Sequence, residues 1–143
     1  MFIGTYQNSI DAKYRMIVPA KFREELGYKV VLTLGIDNCL YLYPMSEWEK
    51  FVEKLSKLPI SDPKARKFSR SFTGNAEECE VDRQGRLTIP QNLREQVNIT
   101  KELATVGCVN KIEIWSRSEY LDDEEDVQMT NAEIAEGMIE YGI

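Results

Sequence analysis

Ile10-Asp-Ala-Lys-Tyr-Arg-Met-Ile-Val-Pro-Ala-Lys-Phe-Arg-Glu24 returns 71 residues later as Val81-Asp-Arg-Gln-Gly-Arg-Leu-Thr-Ile-Pro-Gln-Asn-Leu-Arg-Glu95. Asp11/Asp82, Arg15/Arg86, Pro19/Pro90, Arg23/Arg94 and Glu24/Glu95 are identical. With one residue inserted the match runs on at an offset of 72, through Lys29/Lys101, Thr33/Thr105, Gly35/Gly107, Asn38/Asn110, Ser46/Ser118 and Glu47/Glu119. These are 11 identities in 38 compared positions, where average composition gives about two or three. The chain is a tandem duplication of a unit of about 45 residues, and such internal self-similarity governs the reading of everything else.

Each unit spells the same elements. A strand leads into a turn at 11–14 or 82–85, where Gly85 suits a positive φ. A short apolar strand follows at 15–18 or 86–89. Pro19 and Pro90 then open a short helix at its first position. Phe22 with Leu26, and Leu93 with Val97, are spaced i, i+4 and face the core. Val30–Leu34 and Leu103–Val106 are apolar strands, followed by turns at Gly35–Asn38 and Gly107–Asn110. Leu40–Tyr43 and Ile112–Trp115 close the unit as strands, and Ser46 and Ser118 are expected helix N-caps.

Between the units, Trp48, Phe51, Val52, Leu55 and Leu58 follow helical spacing. Asp62-Pro63 is an N-cap followed by Pro at the first helical position, and Ala65, Phe68 and Phe72 form the apolar side of a second helix. Near the end, Thr130-Asn-Ala-Glu133 is a capping-box pattern for a short helix with Ile134, Met138 and Ile139 on one side. The expected organisation is a first unit at 1–48, a helical linker at 49–75, a second unit at 76–120, and an acidic tail with a short helix at 121–143. A 45-residue unit of short strands buries too little apolar surface to stand alone. The two units are therefore expected to share one core, as a pseudo-twofold α+β body.

The 143 residues hold 18 Lys and Arg, 24 Asp and Glu, and no His, for a net charge of −6. Without His there is no Ser-His-Asp or Cys-His catalytic unit and no His-ligated zinc. Residues 118–143 carry nine acids and no base, which leaves residues 1–117 at +3. Within 50–75 seven bases face two acids. The body is mildly basic and the tail acidic, so the total charge does not speak against an anionic partner. Cys39, Cys79 and Cys108 are odd in number and scattered, neither a disulfide framework nor a metal cluster. No cofactor or metal is expected. The N-terminus lacks the pattern of a signal peptide and no apolar run is long enough for a membrane span, so the expected location is cytosolic.

Three readings of the repeated polar residues stand side by side. Asp11 and Asp82 fit turns in which the carboxylate bonds backbone N–H groups. Arg15, Arg86, Arg23 and Arg94 are placed twice by the pseudo-symmetry, and Lys13 and Arg83 add charge in the same turns. Such forks match phosphate and the major-groove edge of guanine, which points to nucleic acid. The second reading is an acid–base enzyme, with Asp11 and Asp82 as a dyad sharing a proton. The nearby Arg and Lys oppose it by favouring ionised carboxylates. The third is an assembly module without specific DNA readout.

The twice-repeated pattern Asp-x-x-x-Arg, three apolar-leaning residues, Pro, two residues, an apolar residue and Arg resembles the AbrB-type (SpoVT-AbrB, swapped-hairpin) DNA-binding unit. Two copies in a chain of this length resemble the bacterial MraZ family. The likeness extends to Met1-Phe-Ile-Gly4, Tyr43-Pro-Met-Ser-Glu-Trp48, Leu58-Pro59 and Ala132-Glu-Ile-Ala-Glu-Gly-Met-Ile139. The resemblance implies two tandem units in a swapped-hairpin, β-barrel-like body with flanking helices. It also implies a non-enzymatic transcriptional repressor of its own division and cell-wall gene cluster, binding direct repeats in promoter DNA, associated with the nucleoid and assembled into homo-oligomeric rings. By motif position Lys13, Arg15, Arg83 and Arg86 form the DNA-facing set, and Arg23 and Arg94, the second Arg of each pattern, are expected among the DNA-binding residues as well. The sequence departs from the family where Tyr14 stands in place of the usual Gly; a positive φ there strains Tyr.

Overall fold

The computed structural model describes residues 1–125 and 130–142. The first unit supplies β1 (Thr5–Ser9), β2 (Arg15–Ile17), α1 (Ala20–Leu26), β3 (Lys29–Leu34) and β4 (Leu40–Pro44). The linker supplies α2 (Met45–Ser56) and α3 (Pro63–Thr73). The second unit supplies β5 (Glu77–Glu80), β6 (Arg86–Thr88), α4 (Gln91–Gln96), β7 (Glu102–Cys108) and β8 (Lys111–Ser116). Then come α5 (Arg117–Glu125), α6 (Asn131–Gly137) and a 3₁₀ turn at Ile139–Tyr141.

Every strand pair is antiparallel, in a six-stranded sheet of order β1-β7-β8-β4-β3-β5 and a separate ribbon of β2 and β6. The first strand of each unit pairs with the other unit: β1 lies on β7 and β5 on β3. The expected barrel does not form. The sheet ends at β1 and β5, which do not pair with each other, and β2 and β6 leave it to pair together.

The two units are related by a pseudo-twofold axis that can be read from the ladders. In β4–β8, Tyr41 faces Glu113 while Leu40 faces Ile114 and Leu42 faces Ile112. In β2–β6, Met16 faces Leu87 while Arg15 faces Thr88 and Ile17 faces Arg86. Each ladder is thus its own mirror under the repeat, centred on one pair of equivalent residues.

The strand alternation divides the molecule into layers. Leu40, Leu42, Ile112 and Ile114 face one side of the sheet, where they join Met16, Val18, Leu87 and Ile89 of the ribbon and Phe22, Leu26, Leu93 and Val97 near the short helices in one buried cluster. Tyr41, Tyr43, Ala104 and Trp115 face the other side, against Leu55 of α2, Phe72 of α3 and Tyr120 of α5. The ribbon and the linker helices therefore lie on opposite faces of the sheet.

Several local expectations change. Pro19 and Pro90 are N-caps in extended conformation, one residue before their helices rather than at the first helical position. Ser46 and Ser118 are not caps. The helices start earlier, at Met45 behind Pro44 and at Arg117, and Ser118 Oγ meets Ser116 Oγ at 3.1 Å. Asp62 does cap α3, accepting from the Lys64 N–H at 2.9 Å, with Pro63 behind it. Thr130 caps α6 through the Glu133 N–H at 3.2 Å. Gly107 lies within β7, and the turn is made by Val109 (φ 66°) and Asn110.

The repeat alignment also shifts. Val30 pairs with Pro44, while Leu103 pairs with Ser116, the counterpart of Pro44. Val30 therefore corresponds to Leu103, and the matches Lys29/Lys101, Thr33/Thr105 and Gly35/Gly107 fall one residue out of register. The stretch between α4 and β7 is longer than that between α1 and β3, and the β7–β8 turn is shorter than the β3–β4 loop. The two Thr residues face opposite sides: Thr33 Oγ1 donates to the Phe72 carbonyl at 2.7 Å, and Thr105 Oγ1 donates to Asn8 Oδ1 at 3.2 Å.

Candidate nucleic-acid interface

The two Asp-x-x-x-Arg turns are built alike to within about a tenth of an ångström. Asp11 Oδ1 accepts from the backbone N–H groups of Lys13 and Arg15, both at 2.9 Å, and Oδ2 accepts from Arg15 Nε at 2.8 Å. Asp82 Oδ1 accepts from the N–H groups of Gln84 and Arg86, both at 2.9 Å, and Oδ2 from Arg86 Nε at 2.7 Å. The backbone closes each turn with Asp11 N–H to the Arg15 carbonyl and Asp82 N–H to the Arg86 carbonyl, both at 2.9 Å. The fourth residue has a positive φ in both, 60° at Tyr14 and 77° at Gly85.

This geometry favours the ionised form of both carboxylates. The backbone N–H of Arg15 is the largest influence lowering the Asp11 pKa, supported by the Arg15 side chain and the Lys13 N–H. Asp82 is lowered in the same way, first by the Arg86 N–H. Hydrogen bonds to a carboxylate favour its charged form. The lowered direction at both is opposite to the raised pKa that one member of a proton-sharing dyad needs, and the hydrogen bonds make each Asp an anchor of its turn.

What they anchor is a pair of guanidinium groups. Each Asp holds its Arg by Nε. Among the described residues, no hydrogen bond engages Nη of Arg15 or Arg86. Met16 and Leu87 are fully buried under the ribbon, so the alternation places Arg15, Ile17, Arg86 and Thr88 on its outer face. Lys13 and Arg83 are exposed in the flanking turns. Arg15 and Arg86 stand diagonally on a three-residue ladder, roughly 7–8 Å apart at their backbones.

Arg23 and Arg94 occupy a different place. Arg23 Nε donates to the Val18 carbonyl and Arg94 Nη1 to the Ile89 carbonyl, both at 2.9 Å. Each also reaches the turn of the other unit. Arg94 lies over the Tyr14 ring, with Cζ 3.6 Å from its centroid. Arg23 lies over Gly85, where a Cβ would fall on its guanidinium. These two arginines brace the turns from beneath. Reading the sequence for basic residues did not reveal that role, since it depends on the units crossing.

The densest run of bases lies elsewhere. Lys50, Lys54, Lys57, Lys64, Arg66, Lys67 and Arg70 are on or beside α2 and α3, on the sheet face opposite the ribbon. Among the described residues no cluster of His, Cys, Asp and Glu could hold a metal ion, and no helix is long and apolar enough to cross a membrane. The cysteines are free, Cys39 buried and Cys79 and Cys108 partly so.

The family described as "MraZ protein, putative antitoxin-like" matches twice, over residues 1–71 and 72–141, one match for each unit. The chain belongs to the MraZ family. It is 49% identical over 143 residues to a protein of Clostridium tetani (strain Massachusetts / E88). It is 49% identical over 146 residues to one of Halothermothrix orenii, and 46% over 143 residues to one of Syntrophomonas wolfei. All of this chain and all of each relative are covered, and all three are named "Transcriptional regulator MraZ". Membership of the MraZ family supports a role in transcription regulation, with the two repeats as its structural units.

Proposed function

We propose that this chain is a DNA-binding transcriptional repressor whose reading surface is the β2–β6 ribbon with its two Asp-anchored turns. One observation carries the reading: two turns of matching geometry hold Arg15 and Arg86 by Nε and leave their Nη atoms without a hydrogen bond among the described residues, with both residues on the ribbon face opposite buried Met16 and Leu87. A two-stranded ribbon fits the major groove, where an Arg fork matches the O6 and N7 of guanine. Lys13 and Arg83 bind phosphates and set the register. Asp11 and Asp82 position the forks. Arg23 and Arg94 contribute by holding the turns, not by direct contact.

In this reading the units at 1–48 and 76–120 supply one turn each, and helices from 49–75 join them. The targets are direct repeats in the promoter of its own division and cell-wall gene cluster, and occupancy of that promoter represses it. A single chain offers four bases to DNA, so ring assembly raises avidity by effective concentration. Phe68 on α3 is 41% exposed and borders a groove whose aromatic floor of Tyr43, Phe51 and Phe72 is rimmed by Lys50, Lys54 and Glu47, a mixed surface that contact between subunits would use. The protein is then cytoplasmic and bound to the nucleoid.

The test is fluorescence anisotropy on DNA from upstream of its own gene, beside a scrambled duplex. Wild type binds the promoter fragment more tightly and loses affinity steeply with salt. Equal affinity for both duplexes, with a flat salt response, would instead favour an assembly module without specific readout.

A further inference from the structure

The two turns share a backbone and differ in surface. Where the first has Ala12, Lys13, Tyr14 and Ile17, the second has Arg83, Gln84, Gly85 and Thr88. Tyr14 and Ile17 are each 46% exposed. Gly85 is buried, because Arg23 covers it. The braces differ accordingly. Arg23 bonds Val18 through Nε and covers the glycine, whereas Arg94 bonds Ile89 through Nη1 and rests on the Tyr14 ring. Tyr14 is therefore held, in a conformation with φ 60° that a non-glycine residue adopts at a cost. Tyr14 immediately precedes Arg15 in the chain, and Arg94 covers one face of its ring.

Polar groups dominate the major-groove edges of the bases, and the 5-methyl of thymine is the apolar exception. One ring face of Tyr14 is covered by Arg94, which disfavours stacking between bases and leaves an edge and one face for lateral contact. We infer that Tyr14, flanked by Ile17, is a specificity-determining residue that recognises a thymine 5-methyl beside the base read by Arg15. The second turn has Gly85 in place of Tyr14 and so has no ring there, and Thr88 offers only a methyl where Ile17 stands in the first. A pseudo-twofold body thereby reads its two half-sites unequally and lies on DNA in one orientation. The inference rests on the ribbon being the reading surface.

The experiment selects duplexes from a randomised double-stranded pool with full-length wild type, Tyr14→Gly, Tyr14→Phe, Arg15→Ala and Arg86→Ala. The selected thymine is then replaced by deoxyuridine, which lacks the methyl. Glycine accepts the Tyr14 backbone conformation, so Tyr14→Gly keeps the fold, as a thermal melt by circular dichroism verifies. Wild type and Tyr14→Phe should enrich thymine in one half-site, and deoxyuridine should weaken wild type about fourfold, the worth of one buried methyl. Tyr14→Gly should lose the thymine preference and be indifferent to deoxyuridine. If wild type selects no such thymine, or Tyr14→Gly keeps the preference and the penalty, the inference is overturned. Unchanged binding by Arg15→Ala and Arg86→Ala would overturn the ribbon itself. Loss of binding in those two, with thymine preference intact in Tyr14→Gly, would overturn the Tyr14 assignment alone.

Discussion

Asp82 Oδ2 accepts from Arg86 Nε at 2.7 Å while its Oδ1 collects two backbone N–H groups, so one carboxylate fixes both the turn and the direction of the guanidinium. Asp82→Asn keeps an acceptor and loses the charge. Charge-assisted hydrogen bonds are about twice as strong as neutral ones. The expected result is a fall of roughly tenfold in specific DNA affinity with an unchanged circular dichroism spectrum. An unchanged affinity would mean that Arg86 does not need its anchor.

The same contacts predict a pH response. The Asp11 and Asp82 pKa values are lowered from 3.8 by the N–H groups that their carboxylates accept. A carboxylate with a depressed folded pKa contributes stability that is present above its unfolded pKa and is lost as pH falls through the folded value. Carbon-13 detection of the side-chain carboxyls should place both midpoints below 3.8. Below about pH 4 the double variant Asp11→Asn/Asp82→Asn should lose stability less steeply than wild type.

Gly85 and Gly107 are required for different reasons. A Cβ on Gly85, at φ 77°, would displace Arg23 from its bond to Val18. Gly85→Ala should cost about 2 kcal/mol, from the left-handed backbone and the lost bond. At Gly107 a Cβ would stand 2.5 Å from the Ile3 nitrogen and 2.6 Å from the Phe2 carbonyl carbon. Phe2 is buried, and Gly107 donates to the Gly4 carbonyl at 2.8 Å. Gly107→Ala should push the N-terminal segment off β7 and cost about 1–3 kcal/mol. Urea unfolding measures both, and near-zero changes would show that the neighbours yield.

The turns were legible in the sequence because Asp, Gly, Arg and Pro at fixed spacing encode local geometry. The ladder partners were not, because a strand pattern states which face is buried and not which strand lies beside it. That is why the crossing of β1 and β5 between units, the open sheet and the bracing roles of Arg23 and Arg94 emerge only from the structure. Thr33 and Thr105 matched by identity yet face opposite sides, since a one-residue slip in a strand exchanges its faces. Ser46 and Ser118 have a cap's chemistry but not its place, because α2 begins at Met45 behind Pro44 and α5 at Arg117.

The acidic C-terminus divides into two parts. Glu119 bonds Asn38 at 2.8 Å and Asn98 at 3.0 Å, and Tyr120 packs on Trp115, so the start of α5 belongs to the body. Asp126 lies outside the described residues. A chain ending at Glu125 keeps these contacts and loses Asp126, Glu133, Glu136 and Glu140. Like charge opposes approach to phosphate, so this truncation should raise affinity for scrambled DNA at low salt. Equal non-specific affinity would mean that the tail does not screen the DNA surface.

In the proposed function Arg86 and Arg15, held by their Asp partners on one face of the ribbon, read the promoter. The direct measurement is anisotropy of wild type, Arg15→Ala and Arg86→Ala on the promoter and on a scrambled duplex across a salt series. Loss of one guanine fork is worth about 1–3 kcal/mol, a factor of roughly 5 to 150 per site. Both variants should melt like wild type, and their promoter affinity should fall by that factor or more toward the scrambled value. Promoter binding by folded Arg86→Ala at wild-type affinity would show that the ribbon does not read DNA.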